Sequence, residues 1–515
     1  MKTKFKKSKR VIIIAAFIIL CFIFISCSPS DGGGENIDGG LNNYAGGRDN
    51  PGEDGSGING AEPEETKALR ETELPEKNYG GYDFRFLVKE FNDGGYWGAV
   101  DIYAAEENGD PINDMVYKRN RIIEDRYNIS ISEVRSDDIP GNARRSILVS
   151  SHDYDVIMPD LNGAAPLAAQ GIFLDARSEL PFLQLDGVWW DQRANRMLSL
   201  ADRQYFLIGD MTLMANDATW VIMFNKKVTE EYGLGSLYSH VKEDNWTFDT
   251  FFGLVRSVSK DLNGDGIIDM DDQLGLLTDN GAKTILVYNT GEMAARKDGN
   301  DLPYLSLNTE RTIDAARRVF EVLADKTISI NAHESGDFRG IPDPWTDGAN
   351  RMFQENRGLF YMISLTVMHR MRGMDSDFGV LPSPKLDGSQ GEYYHTVQPS
   401  TTNSILFPNT SADPEMASII IEDMCYESRD TVRHAYFDTT ITNKTIRDEE
   451  SAEMLDLIFS TRIYDLGFIF NWGNIGYLLE SVYPDAGRFV SRYETAEPRA
   501  RTQMERTLDE IAGIS

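Results

Sequence analysis

The sequence predicts an α/β protein of two lobes built on parallel sheets. Apolar strand-like runs alternate with amphipathic helical ones along most of its 515 residues. Roughly 435 residues follow a leader and a spacer, enough for two domains of ordinary size. Cysteine is scarce. Of three, Cys21 lies in the leader and Cys27 at its end, leaving Cys425 alone. With no internal disulfide available, the fold must rest on its core.

Order is expected from Tyr79 onward. Tyr82, Phe84, Phe86 and Val88 alternate with Asp83 and Arg85, the period of a strand. Residues 112–127 read as a helix with Met115, Val116, Ile122 and Ile123 on its buried side, followed by strand-like Ile129 and Ile131. Asp155 to Met158 reads as a buried strand ending at Pro159-Asp160, and Trp220 to Phe224 as another. Thr247 can cap a helix over 248–258. Residues 310–325 place Ile313, Ala316, Phe320 and Leu323 on one face, and Asp413-Pro414 opens a helix through Ile420 and Met424.

Upstream, six basic residues from Lys2 to Arg10 precede an apolar run from Val11 to Ile25, then Ser26 and Cys27. This is the layout of a secretion signal, and the run is short of the roughly 20 residues a membrane span requires. A cysteine after a small residue marks a bacterial lipoprotein in which Cys27 takes the lipid. Phe24 stands where Leu is usual, and an uncleaved membrane anchor is the alternative. Residues 28–78 are Gly-, Asn-, Asp- and Glu-rich and read as a disordered tether with a reach of about 40 Å. Absence of disulfides together with a lipid anchor points to the extracellular face of a cell membrane, of Gram-positive type. Removing residues 1–26 takes away six positive charges and moves the net charge from −31 to −37. Such a surface repels nucleic acid and anionic lipid, which excludes both as partners.

The sharpest local motif is the stretch Asp261 to Asp272. Asp261, Asn263, Asp265, Asp269 and Asp272 supply oxygen side chains at loop positions 1, 3, 5, 9 and 12, Gly266 stands at position 6, and Ile267 offers a backbone carbonyl. A hard cation takes six to eight such oxygens, so calcium is the expected ion, held as a structural clip. Asp272 replaces the usual Glu, which shortens the reach and places affinity at about 10⁻⁴ to 10⁻³ M.

The segment WTFDTFFGLVRSVSKDLNGDGIIDMDDQLGLL (246–277) resembles a recurrent stretch of the family 1 extracellular solute-binding proteins, lipoprotein receptors of ABC importers, many of them for sugars. In the same order come YDVIMPDLNGAAPLAAQGIFLDA (154–176), WWDQRANRMLSLADRQYFLIGD (189–210), WVIMFNKKVTEEYGL (220–234), FGVLPSPK (378–385) and AYFDTTITNKTIRDEESAEMLDLI (435–458). The resemblance implies a class II periplasmic-binding-protein-like fold: two lobes, a hinge, an interlobe ligand cleft and a monomer that docks on an ABC permease. On this reading residues 1–27 are leader and lipobox, 28–78 tether and 79–210 the first part of the N-terminal lobe. The second lobe is 211–378, the chain returns to the first over 379–430, and 431–515 form a helical part packed on the second.

Ligands of open α/β sheets sit beyond the carboxyl ends of strands. That rule selects the loops Lys89–Trp97, Pro159–Asn162 and Gly209–Asp217. A sugar offers a flat C–H face and a rim of hydroxyls, so its site pairs aromatic platforms with polar groups. Trp220, Trp345 and Trp472 are the favoured platforms, with Trp97 in the first loop, and Asp160, Asp210 and Asp217 are the polar candidates. For each, a role in the core or on the solvated surface is the plain alternative. The maltose-binding branch carries a Trp pair near the position of Met362 to Leu365, which this chain lacks.

Enzyme classes fare worse. The six histidines show no HExxH spacing, no GxSxG elbow occurs, and no phosphate-binding GxxxxGK[ST] is present. A calcium-stabilised glycoside hydrolase or lyase, which needs only two carboxylates, is the rival reading, with a sensor or adhesin on the same fold as a third.

Overall fold

In the computed structural model, residues 74–90, 98–334, 338, 340–438 and 449–513 are described. Cys27, Trp97, the leader and the tether up to residue 73 lie outside them. No helix among the described residues is long and apolar enough to cross a membrane.

Strands fall where alternation of apolar and polar residues favours them. β1 spans Tyr82–Lys89, β2 Ile129–Ser136 and β3 Val156–Ile157. They form a parallel sheet in the order β2-β1-β3. Phe84, Phe86 and Val88 are fully buried on one face as the alternation requires, and Leu87 is buried on the other. Burial on both faces is the habit of parallel sheets, whose crossover helices cover them. A later segment extends the layer: Leu406 and Ile157 exchange backbone hydrogen bonds of 3.0 and 2.9 Å, and Ile405 pairs with Leu207.

The remaining strands are β4 (Trp220–Asn225), β5 (Leu274–Thr278), β6 (Ala295–Lys297), β7 (Pro303–Leu305), β8 (Ser329–Asn331), β9 (Gly358–Ser364), β10 (Phe378–Leu381), β11 (His395–Thr396) and β12 (Arg462–Ile463). Five of them make the second sheet, in the order β10-β4-β9-β5-β8. β8, β5 and β9 run parallel, while β4 is antiparallel to β9 with Trp220 opposite Ser364. Two stretches cross between the sheets side by side. Thr219 bridges Val397, and the Gln398 amide donates to the Ala218 carbonyl at 3.0 Å.

Helix starts follow the capping residues. Asp110 accepts the amides of Ile112 and Asn113 ahead of the helix Pro111–Tyr127, and Asp413 accepts that of Met416 ahead of Pro414–Asp430. On the first of these, Val116 and Ile123 are buried as expected, but Ile122 is 37% exposed. The buried stripe runs instead through Arg119 and Asn120. Arg119 is fully buried because its guanidinium reaches the Asn120 amide oxygen, Ser428 Oγ and the Ile102 carbonyl.

Two boundaries differ from expectation. The chain does not leave the second sheet at 378, because Phe378–Leu381 pairs with β4; its contact with the first sheet resumes at Asn403, opposite Asp160. Within 431–515, the helix Val432–Phe437 packs on Pro111–Tyr127 beside the first sheet, while Glu449–Ser460 packs on β10.

Candidate functional site

The carboxyl ends of β8, β5 and β9 converge on one edge of the second sheet. Asp279, Asn280 and Gly281 follow β5, His333 follows β8, and Ile363-Ser364 close β9. Antiparallel pairing brings Trp220, the first residue of β4, to that same edge. Together with Trp345, Gln398, Ser400 and Thr401 of the second crossover, and Glu480, they line a cavity of about 390 Å³. That volume lies within the range of small-molecule sites.

The polar groups are held in place. His333 Nε2 lies 3.0 Å from Asp279 Oδ2, and this hydrogen bond raises the histidine pKa. The other oxygen of Asp279 accepts the Gly281 amide at 3.1 Å. Burial raises the pKa of Glu480; Lys283 counters this and the charge of Asp279 adds to it, so the two carboxylates sense each other across the cavity. Gln398 Nε2 donates to Ser400 Oγ at 2.9 Å.

The aromatic walls are equally constrained. Trp220 is 5% exposed and its indole lies against Gly281, where an added Cβ would come within 2.7 Å of the ring. A side chain there would push the ring aside, so the glycine sets the position of that wall. Trp345 is half-buried in the π-helical turn Pro344–Asn350, which Asp343 caps by accepting the amides of Trp345 and Thr346. Two indoles, two carboxylates, an imidazole and a set of amides and hydroxyls can hold a ligand with apolar faces and hydroxyl edges. Among the described residues no arginine or lysine lines this cavity.

No protein-family model matches the chain, and no curated protein matches it. Solved structures do. A cyclo/maltodextrin-binding protein complexed with maltotetraose superposes with a TM-score of 0.53 at 12% identity, covering 83% of this chain and 97% of that one. The maltose/maltodextrin-binding domain MalE of Bdellovibrio bacteriovorus, bound to maltotriose, gives 0.52 at 13%, covering 82% and 100%. UgpB of Mycobacterium tuberculosis with glycerophosphocholine gives 0.51 at 13%, covering 84% and 100%. The chain has the periplasmic-binding-protein-like fold of these structures. The fold implied by the ordered sequence segments is therefore the one observed.

Within this periplasmic-binding-protein fold, the structure brings Trp220 and Trp345 into one cavity. It places Trp472, Asp160, Asp217 and Asp210 outside that cavity's lining. Trp472 is 3% exposed, stacks on Phe470 at 4.9 Å and donates its indole N–H to Thr507 on the C-terminal helix. It is a packing residue, because a partner 35 positions later occupies its only donor. Asp160 caps the helix Leu161–Ala168 by accepting the Gly163 amide at 2.9 Å. Asp217 accepts the Tyr436 hydroxyl at 2.7 Å and faces His369 Nε2 at 3.3 Å. Asp210 pairs with Arg433 at 3.3 Å in a different cavity, and burial pushes it up to about 6.

Asp279, His333 and Glu480 were not anticipated. For Asp279 the signal was present: the run LGLLT at 274–278 is a buried strand, and the carboxyl-end rule points to the residue after it. Glu480 comes from the short helix Leu478–Val482, and nothing local ties it to this edge.

The acidic loop 261–272 is folded on itself. Asp261 accepts the amides of Gly264 and Gly266, Asn263 that of Asp265, Asp265 that of Ile267, and Asp272 those of Leu262 and Asp269. Gly266 supplies the left-handed φ of +81° that the turn requires. Among the described residues no group of three or more His, Cys, Asp or Glu is gathered as a metal set. As placed, these carboxylates fit a self-capped turn, with their oxygens directed to loop amides.

Proposed function

We propose that the chain is a receptor that captures a neutral carbohydrate in the Trp220–Trp345 cavity and delivers it, unaltered, to an ABC permease. The supporting observation is the convergence of two indole walls with Asp279, Glu480 and the crossover amides and hydroxyls at the carboxyl edge of the second sheet. Sugars suit such a lining, since aromatic faces meet their C–H faces while carboxylates and amides take their hydroxyls. The sugar complexes of two structures with the same fold support the same class of ligand. Closure around the solute requires only that it bind the closed form better by a few kcal/mol. In this reading Cys27 carries a lipid and residues 28–78 tether the receptor at the extracellular face of the membrane.

Isothermal titration of the purified chain with a mono- and oligosaccharide panel tests this. Saturable binding without cleavage products is the expected result, with affinity falling at least tenfold, about 1.4 kcal/mol, in Trp220→Ala and again in Trp345→Ala. Unchanged affinity in both variants would remove the cavity from the mechanism. Accumulating reducing ends would make Asp279 and Glu480 candidates for glycoside cleavage instead.

Calcium at 261–272 belongs to the same proposal as a structural clip, on the strength of the ligand series in the sequence. Binding would use the lone pairs of the Asp261, Asp265 and Asp269 carboxylates that the loop amides leave free. Thermal melting with calcium at ten times a 10⁻³ M dissociation constant should then rise by about 1.4 kcal/mol equivalent, and Asp261→Ala should abolish the rise. Equal melting with calcium and with a chelator would retire the clip.

A further inference from the structure

The cavity that holds Asp210, about 440 Å³, shares no lining residue with the sugar cavity. The helix Gln192–Met197, the stretch Ile208–Thr212 and the helix Val432–Phe437 wall one side; Asp456, Phe459, Ser460 and Arg462 wall the other. Its chemistry is unusual for a chain of net charge −31, because guanidinium groups and carboxylates line it in near balance.

Most of these groups are already engaged. Asp191 caps the helix Gln192–Met197 through one oxygen, and its other oxygen accepts Tyr464 Oη and Arg462 Nη2, both at 2.7 Å. Trp190 donates its indole N–H to Glu422 at 3.0 Å, away from any ligand. Arg433 lies over the Phe437 ring at 4.8 Å and Arg462 over Phe459 at 5.4 Å, and the two rings meet edge to face at 5.5 Å.

Two polar groups remain short of partners. Asp210, its side chain 19% exposed, makes one ion pair within 4 Å among the described residues, 3.3 Å from Arg433 Nε, with Arg429 and Arg462 acting on it from farther away. Arg462, 12% exposed, donates to Asn216 and Asp191, yet its buried Nε has no hydrogen-bond partner among the described residues. A carboxylate with one ion pair beside the Arg433 and Arg462 guanidinium groups favours a group that donates and accepts at once. A hydroxyl does both. With Arg462 bound to Asp191 and Arg193 to Glu392, Arg196 and Arg433 stand against Asp210 and Asp456, so the balance of charge selects an uncharged ligand.

We propose that this cavity is a second ligand site, for a neutral polyhydroxyl compound of monosaccharide or cyclitol size, held between Asp210 and the guanidinium groups of Arg433 and Arg462. The phenyl rings of Phe437 and Phe459 supply the apolar surface for its C–H face. Because the walls come from elements packed on both sheets, the ligand bridges them.

Saturation-transfer NMR and calorimetry on the full chain with glucose and with myo-inositol read this directly. At least one probe should still bind saturably to the Trp220→Ala/Trp345→Ala double variant, in which the sugar cavity is disabled. Adding Asp210→Asn to that background should weaken this residual binding at least tenfold. Ser460→Trp, which fills the cavity from an exposed lining position, should do the same and serves if Asp210→Asn fails to fold. Loss of all binding in the double variant would overturn the second site while leaving the proposed receptor function intact. Residual binding indifferent to both Asp210→Asn and Ser460→Trp would overturn it as well, as would no saturable binding of either probe at about 1 mM.

Discussion

Acidification from about pH 7 to pH 4 is expected to destabilise the wild-type chain by about 3 kcal/mol relative to a His395→Gln variant. His395 is fully buried on β11. Its Nε2 accepts the Ser383 amide at 2.9 Å, so Nδ1 carries the proton and donates to Thr461 Oγ1 at 2.8 Å. A second proton would set two N–H groups against each other in a dry site. Burial first, and the charge of Arg193 second, lower its pKa to about 3. With the folded value depressed, the unfolded chain binds more protons below its ordinary 6.5. Stability from this group is therefore complete above 6.5 and lost as pH falls toward 3. Glutamine keeps one acceptor and one donor and cannot charge. The difference in unfolding free energy between the two proteins should thus shrink by about 1.4 kcal/mol per pH unit across that window. The difference is the quantity to measure, because buried carboxyls act with the opposite sign. Burial raises Glu422 to about 7 and Asp210 and Asp465 to about 6, so each gains stability as pH falls through those values. A pH-independent difference would show that His395 does not stay neutral in the fold.

Glu422→Ala should lower stability by about 4 kcal/mol, seen as a fall in the urea midpoint with little change in slope. The carboxylate is 1% exposed and gathers three donors: Trp189 Nε1 at 2.8 Å, and Trp190 Nε1 and the Gln184 amide at 3.0 Å each. Alanine leaves all three buried without an acceptor, at about 1–3 kcal/mol per group, and opens a void. Glu422→Gln retains an oxygen acceptor and should lose roughly half as much. Trp190 lines the second cavity, so the alanine variant should also weaken any polyol bound there. An unchanged midpoint in Glu422→Ala would mean that these indoles find other acceptors.

Local pattern sufficed for most elements and for part of the site. Asp110 and Asp413 each precede a proline and start helices, because a cap needs only amides within three residues. Trp220 was visible as the first residue of an apolar strand, and Trp345 as an aromatic among Pro342, Pro344 and Gly348. Trp472, Asp160, Asp210 and Asp217 looked equally suitable. Asp160 is a cap whose donor, the Gly163 amide, lies within local reach; the other three were sorted by partners that no local pattern supplies: Thr507, Arg433 and Tyr436. The boundary at 378 failed for a related reason. Whether Phe378–Leu381 belongs to one sheet or the other is decided by its antiparallel register with β4, some 150 residues earlier in the chain.

From the residues alone came the α/β class, the Asp413 cap and most of the periodic faces, since each depends on neighbours within about a turn of helix or a strand, whereas Thr247 precedes its helix without a side-chain cap bond. Tertiary structure decided which carboxylates line a cavity and which are used as caps or internal partners. Asp279 and Glu480, far apart in the chain, share one cavity, whereas Asp210 sits in another. The physical reason is that a buried charge takes its role from the donors the fold places beside it, and outside helix caps and tight turns those donors come from distant parts of the chain.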